Sequence, residues 1–194
     1  TVVVGDLTLK LNLVPSGILR ENALCLIGAG VVVNLAKLTQ EMDELVALGV
    51  DVGPSRLKIS AAAHIILPTH RMLDGVKEEA LGESAIGTTR RGIGPAYTDK
   101  AARVNLRAGD MTEPERFAER VAEGVRAHNR RLENRYGVSD TISPEKAAAE
   151  YCEYAKRLAP YLVDGSALVG ETLEAGKTVL CEGAQGLLLD LDHG

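Results

Sequence analysis

The chain has 194 residues, 45% hydrophobic and 25% charged, the balance of a folded protein whose core needs no disulfide or structural metal. Its 27 acidic against 22 basic residues leave a net charge of −5, which argues against a whole-surface binder of nucleic acid or anionic membrane. Aromatic residues make up only 3%, with no Trp, too few for a base-stacking platform.

Along the chain, Leu7, Leu9, Leu11 and Leu13 alternate with Thr8, Lys10 and Asn12, the pattern of a half-buried strand. Gly5-Asp6 supplies a turn, so residues 1–14 are expected to form a hairpin, ended by Pro15-Ser16-Gly17. Leu24 to Ile27 reads as a short buried strand. Gly28-Ala29-Gly30 and the β-branched run Val31 to Val33 follow. Asn34 has the place of an N-cap for a helix carrying Leu35, Leu38, Met42 and Leu45, with Gly49 at its C′ position. Leu57 to Ile59 suggests another strand, and a helix is expected from about Ala61 to Ala80, interrupted by Pro68.

Thr112-Glu113-Pro114-Glu115 has the form of a capping box ahead of a helix with Phe117, Val121, Val125 and Leu132 on one face. Ser143-Pro144 opens the next helix, and a short one near Ser166 to Ala175 ends at Gly176. Thr178 to Cys181 reads as a buried strand running into Glu182-Gly183-Ala184-Gln185-Gly186. Strands alternating with helices indicate an α/β fold, with a central, mostly parallel sheet flanked by helices. Thr1 opens without Met in a strand-like run and Gly194 closes no element, so the chain is expected to be an internal portion of a longer protein.

Cys25, Cys152 and Cys181 are widely spaced, form no CxxC pair and have apolar neighbours. They read as buried inert thiols in a reducing compartment. No apolar run approaches membrane-spanning length, and residues 1–6 carry no signal-peptide pattern, so a cytoplasmic location is expected.

The segment from Ile86 to Arg107 holds five basic residues and one acidic, a local charge of +4 on a body of −9. Gly87, Gly92 and Gly94 permit close backbone approach, and Thr88 and Thr89 offer hydroxyl and amide donors. Arginine grips phosphate with paired hydrogen bonds. Residues 86–107 therefore read as an anion site for phosphate, or alternatively as a solvated basic loop with surface ion pairs. The segment is neither a Walker A loop nor a GxGxxG fingerprint. Lys100 and Arg103, at i and i+3, are expected to project from one helical face.

Farther on, Gln185 offers donor and acceptor together in a Gly-flanked loop, suited to the edge of a base. Asp190, Asp192 and His193 read as turn-forming residues or as metal ligands. His64, His70 and His128 lie on stretches read as helical, without HExxH spacing, and are taken as satisfied core or surface histidines.

Three blocks then carry a resemblance: Pro15-Ser16-Gly17-Ile18-Leu19-Arg20-Glu21-Asn22, the run from Gly87 to Tyr97 with Asp99, Lys100 and Arg103, and Glu182 to Gly186 with Asp190-Leu191-Asp192. In residues, order and approximate spacing they resemble the adenylosuccinate synthetases. The resemblance implies a P-loop-NTPase-like synthetase fold, of which residues 1–194 would be an interior portion of one domain. It implies GTP-dependent ligation of IMP and L-aspartate, in which the purine 6-oxygen is first phosphorylated and aspartate then displaces it. Thr88 and Thr89 would hold the IMP 5′-phosphate, and Gln185 would contact the nucleotide. Lys100 would act electrostatically as an active-site lysine, or form a salt bridge with Asp99. Arg103 would reach the IMP of the neighbouring subunit in a homodimer. Asn105 stands where glycine is usual and is expected to tolerate a left-handed conformation. The family's glycine-rich phosphate loop, catalytic Asp and His, Mg2+ ligands and GTP site would lie outside this chain, which alone would be inactive. A non-catalytic nucleotide-phosphate-binding or dimerisation module is the competing expectation.

Overall fold

In the computed structural model, which describes residues 2–4, 7–85 and 87–183, the chain opens with the antiparallel pair β1 (Val2–Val4) and β2 (Leu7–Leu9). β3 (Cys25–Ile27) and β4 (Val32–Val33) lead into helix α1 (Leu35–Ala47). β5 (Leu57–Ser60) and β6 (His64–Ile65) precede α2 (Pro68–Ala80) and α3 (Ile93–Ala101). The long helices α4 (Pro114–Tyr136) and α5 (Pro144–Leu158) pack on each other before β7 (Leu162–Val163) and α6 (Gly165–Glu174).

β3, β5 and β7 form a parallel sheet with β5 in the middle, and β4 pairs in parallel with β6. These strands are short aliphatic runs, and β3 and β5 are connected through a helix, the crossover that parallel pairing requires. The main core joins Ile27, Leu57 and Ile59 of the sheet to Leu38 and Met42 of α1, Phe117 and Val121 of α4 and Leu158 of α5. Each such side chain contributes about 1.5–3 kcal/mol by leaving water. The buried Tyr151 hydroxyl donates to the Ile66 carbonyl at 2.7 Å, which ties α5 to the segment just after β6.

Local signals worked as expected at several ends. Asn34 Oδ1 accepts from the Lys37 amide at 3.0 Å, and Gly49 takes a φ of 81° after α1. Ser143 caps α5, and Gly176 takes a φ of 71° after α6, whose N-cap Asp164, bonded to the Ser166 and Ala167 amides, was not expected. The N-terminal hairpin pairs as the alternation requires, with its Gly5-Asp6 turn outside the described residues.

Three elements differ from expectation. Residues 61–67 are not helical: they carry β6, and α2 begins only at Pro68, its first helical residue. Proline lacks the amide that an interior helical residue must donate, so it starts the helix instead of lying within it. The anticipated capping box at 112–115 does not form. Glu113 is the N-cap without a side-chain bond, while Thr112 Oγ1 donates to the Gly109 carbonyl at 2.8 Å. Residues 178–181 form no strand and pair with no described strand, and Leu180 is 90% exposed. A short apolar run becomes a buried strand only where a sheet edge accepts it. Cys25 is buried, whereas Cys152 is partly exposed and Cys181 exposed, so the reading of three buried thiols holds only for the first. No helix among the described residues is long and apolar enough to cross a membrane.

Candidate functional site

The basic, glycine-rich segment links α2 to α3, and α2 holds it at both ends. Glu78 Oε1 accepts from the Gly87 and Thr88 amides, and Asp74 Oδ2 accepts from the Gly92 amide at 2.8 Å. Gly87 and Gly92 adopt φ values of 80° and 81°, a region that only glycine enters without strain. Gly94, the third glycine, lies inside α3 with an ordinary helical φ. Arg90 also takes a positive φ, 53°. Thr88 is half-buried, its Oγ1 enclosed without a hydrogen bond among the described residues, and Thr89 is exposed beside it. The structure thus brings the two threonines together on a tight, tethered turn.

α3 carries the next candidates. The Tyr97 hydroxyl donates to the Gly30 carbonyl at 2.7 Å. Lys100 Nζ lies 3.4 Å from the Ala29 carbonyl and 5.5 Å from the centre of the Tyr97 ring. The lysine is therefore held over the Gly28-Ala29-Gly30 loop at the end of β3 and forms no salt bridge with Asp99, contrary to that alternative. Ligand contacts in α/β proteins gather beyond strand ends of this kind.

Arg103 does not share a helical face with Lys100. α3 ends at Ala101, and Arg103 is an exposed residue of the following turn with a φ of 61°. Its amide donates to the Lys100 carbonyl at 3.0 Å, and its guanidinium makes no ion pair or hydrogen bond among the described residues. The left-handed position expected at Asn105 falls instead on Arg103. Asn105 is buried and donates its side-chain amide to the Ala96 carbonyl at 3.2 Å.

Two distant blocks approach each other through Ser16, whose amide and hydroxyl both lie 2.9 Å from Glu182 Oε2. Arg91 Nη1 donates to Asn12 Oδ1 at 3.3 Å, which links the glycine-rich loop to the segment after the N-terminal hairpin. Gln185, Asp190, Asp192 and His193 lie outside the described residues.

His70 and His128 are satisfied core histidines, as expected, but sequence reasoning missed that they share one carboxylate. His70 of α2 and His128 of α4 both place Nε2 on Asp99 Oδ2 of α3, at 3.1 and 2.7 Å. All three are buried. Burial alone would raise the Asp99 carboxyl, but the hydrogen bonds from His128 and His70 outweigh it and hold the group well below its ordinary value. Burial lowers His70 more than Asp99 raises it. His64, which lies on β6 and not on a helix, is lowered by burial and by the nearby Lys100 and Arg107. The available signal was a lone histidine on the apolar side of each of two helices.

The His70–Asp99–His128 atoms lie within 4.8 Å of one another, compact enough to enclose an ion. The donor set does not suit Mg2+, a hard cation that takes oxygen ligands, because only the carboxylate supplies oxygen.

The family model for adenylosuccinate synthetase matches residues 1–194. An adenylosuccinate synthetase of Carboxydothermus hydrogenoformans is 49% identical over 194 residues, which are 100% of this chain and 45% of that protein. That of Moorella thermoacetica is 50% identical, again over 100% of this chain and 45% of the relative. The solved structure of a fully ligated adenylosuccinate synthetase from Plasmodium falciparum superposes with a TM-score of 0.86 at 32% identity, covering 98% of this chain and 43% of that one. The chain spans less than half the length of these relatives. It belongs to the adenylosuccinate synthetase family.

Proposed function

We propose that the chain is part of a longer protein that joins IMP and L-aspartate to form adenylosuccinate at the expense of GTP, through a 6-phosphoryl-IMP intermediate. The observation that carries this reading is the match along all 194 residues together with the tethered turn that presents Thr88 and Thr89. In this reading the two threonines hold the IMP 5′-phosphate, and Lys100, fixed over the loop after β3, supplies positive charge near phosphate. Gln185 contacts the nucleotide.

Arg103 completes the site of the neighbouring subunit in a homodimer. Its support is an exposed guanidinium on a left-handed turn, with no partner among the described residues of its own chain. Phosphoryl transfer needs clamped phosphates, a positioned nucleophile and a metal. The residues described here fit the first requirement only. Mg2+, the catalytic Asp and His and the GTP contacts belong in this reading to segments outside the chain, so residues 1–194 alone are inactive. The protein works in the cytoplasm, with no nucleic-acid or membrane partner.

The test supplies GTP, IMP, L-aspartate and Mg2+ to this chain and to the full-length protein that carries it. Adenylosuccinate forms only with the latter. Turnover by residues 1–194 alone overturns the division of labour. IMP binding without ligation, even at full length, would instead identify a non-catalytic phosphate-binding or dimerisation module.

A further inference from the structure

The hydrogen-bond donors around Asp99 settle which protons its neighbours carry. The Leu67 amide donates to His70 Nδ1 at 2.9 Å, so that nitrogen holds a lone pair and the proton sits on Nε2. His70 Nε2–H then donates to Asp99 Oδ2. Thr69 Oγ1 lies 2.7 Å from His128 Nδ1, and because an ionised Asp99 only accepts, His128 Nε2–H donates to the same carboxylate oxygen. A metal ion would need lone pairs on both Nε2 atoms. His70 would then have to be an imidazolate, since its Nδ1 is already an acceptor, so the cluster is not built as a metal site. It is built to hold one carboxylate.

The same residue closes the helix that follows the phosphate turn. The Asp99 main-chain carbonyl accepts the amides of Val104 at 3.0 Å and Asn105 at 3.3 Å. These two bonds span the turn on which Arg103 adopts its φ of 61°. Side chain and carbonyl of one residue thus join α2, α4 and the Arg103 turn. A left-handed arginine is strained and persists only where surrounding bonds over-determine it.

We propose that Asp99, clamped by His70 and His128, is the positioning residue that sets Arg103, and with it Lys100, for a phosphorylated ligand. The ligand in question is the IMP of the reading above, on which this assignment rests. Asp99 itself touches no ligand. It acts by holding α3 at a fixed depth between α2 and α4, so that the carbonyl reaching Val104 and Asn105 lies where the turn needs it. Arg131 Nη1, 3.7 Å from Asp99 Oδ1, adds charge from the solvent side without a hydrogen bond.

The experiment uses the full-length protein with Asp99→Leu, His128→Leu and His128→Gln. Leucine at 99 removes the one oxygen that accepts from both histidines, and leucine at 128 removes a donor. Both variants should raise KM for IMP at least about tenfold while KM for GTP stays unchanged, because misplacement of a binding group by about 1 Å is enough for such a loss. Glutamine donates from the place of the imidazole Nε2–H, so His128→Gln should restore the KM for IMP. Hydrogen exchange at Val104 and Asn105 should quicken in the first two variants and not in the third, with α1 amides unaffected. Parallel shifts in both KM values that track Tm, or an unchanged KM for IMP, overturn the proposal. A wild-type protein that does not use IMP sinks the functional reading instead. Exchange at Val104 and Asn105 then decides the positioning role alone, and unchanged rates overturn it.

Discussion

Gly92 sits directly on the backbone of α2: a Cβ added there would lie 2.9 Å from the carbonyl carbon of His70 and from the Arg71 amide nitrogen. Its φ of 81° adds a second reason for glycine, and its amide is the one held by Asp74. The turn bearing Thr88 and Thr89 is thereby locked to α2 by sterics and by hydrogen bonding together.

Gly92→Ala should therefore destabilise the protein by roughly 1–3 kcal/mol, the range for a residue forced into a left-handed conformation. Thermal or urea unfolding checks the loss. An alanine variant as stable as wild type would show that the contact with His70 relaxes freely.

Glu41 of α1 is a buried carboxylate, 2% exposed, that accepts from the amides of Asn12, Leu13 and Val14 at 2.9, 3.2 and 3.1 Å. It anchors the segment leading to Pro15. Glu41→Ala leaves enclosed amides unpaired and should cost about 1–3 kcal/mol for each donor that water cannot reach. Glu41→Gln retains an acceptor oxygen and should lose less. Equal losses in denaturant titrations of the two variants would contradict this account.

His70 and Asp99 predict a two-stage acid response. His70 is held below its ordinary 6.5, facing Asp99 of α3 and His128 and Arg131 of α4. The unfolded chain therefore takes up the proton first, and this contribution to stability is complete above pH 6.5 and fades as pH falls through that value. Protonated His70 Nδ1 would also face the Leu67 amide, donor against donor. Asp99 is depressed below its ordinary 3.8, so its contribution disappears only under stronger acid. Unfolding free energy measured against pH should fall in these two stages, and His70→Gln should remove the first.

Arg103→Ala should raise the KM for IMP in the full-length protein with little change in Tm, since the exposed guanidinium makes no ion pair among the described residues. Mixing this variant with one disabled at Thr89 tests the homodimer reading directly. Partial recovery of activity in mixed dimers is the expected result, and its failure would place Arg103 in its own subunit's site.

Residues acting on near neighbours were legible in the chain. Asn34 caps α1 through an amide three residues away, Gly49 ends the same helix, and the leucine alternation pairs the N-terminal strands. The glycine-rich block with Thr88, Thr89, Lys100 and Arg103 also stood out, because its composition departs from that of the surrounding chain. Where sequence reasoning failed, a distant partner decided the outcome. Apolar runs at 61–67 and 178–181 look alike in pattern, yet only the first finds a parallel neighbour, β4.

The sequence by itself determined the α/β class, several helix ends and the family, since these rest on periodicity, capping and contiguous motifs. Tertiary structure alone decided that His70, Asp99 and His128 form one buried cluster, and that Arg103 leaves its helix on a left-handed turn. The physical reason is reach. A capping bond closes within three or four residues, whereas the cluster joins positions 29 residues apart on either side of Asp99. Only packing of α2, α3 and α4 brings those side chains within hydrogen-bonding distance.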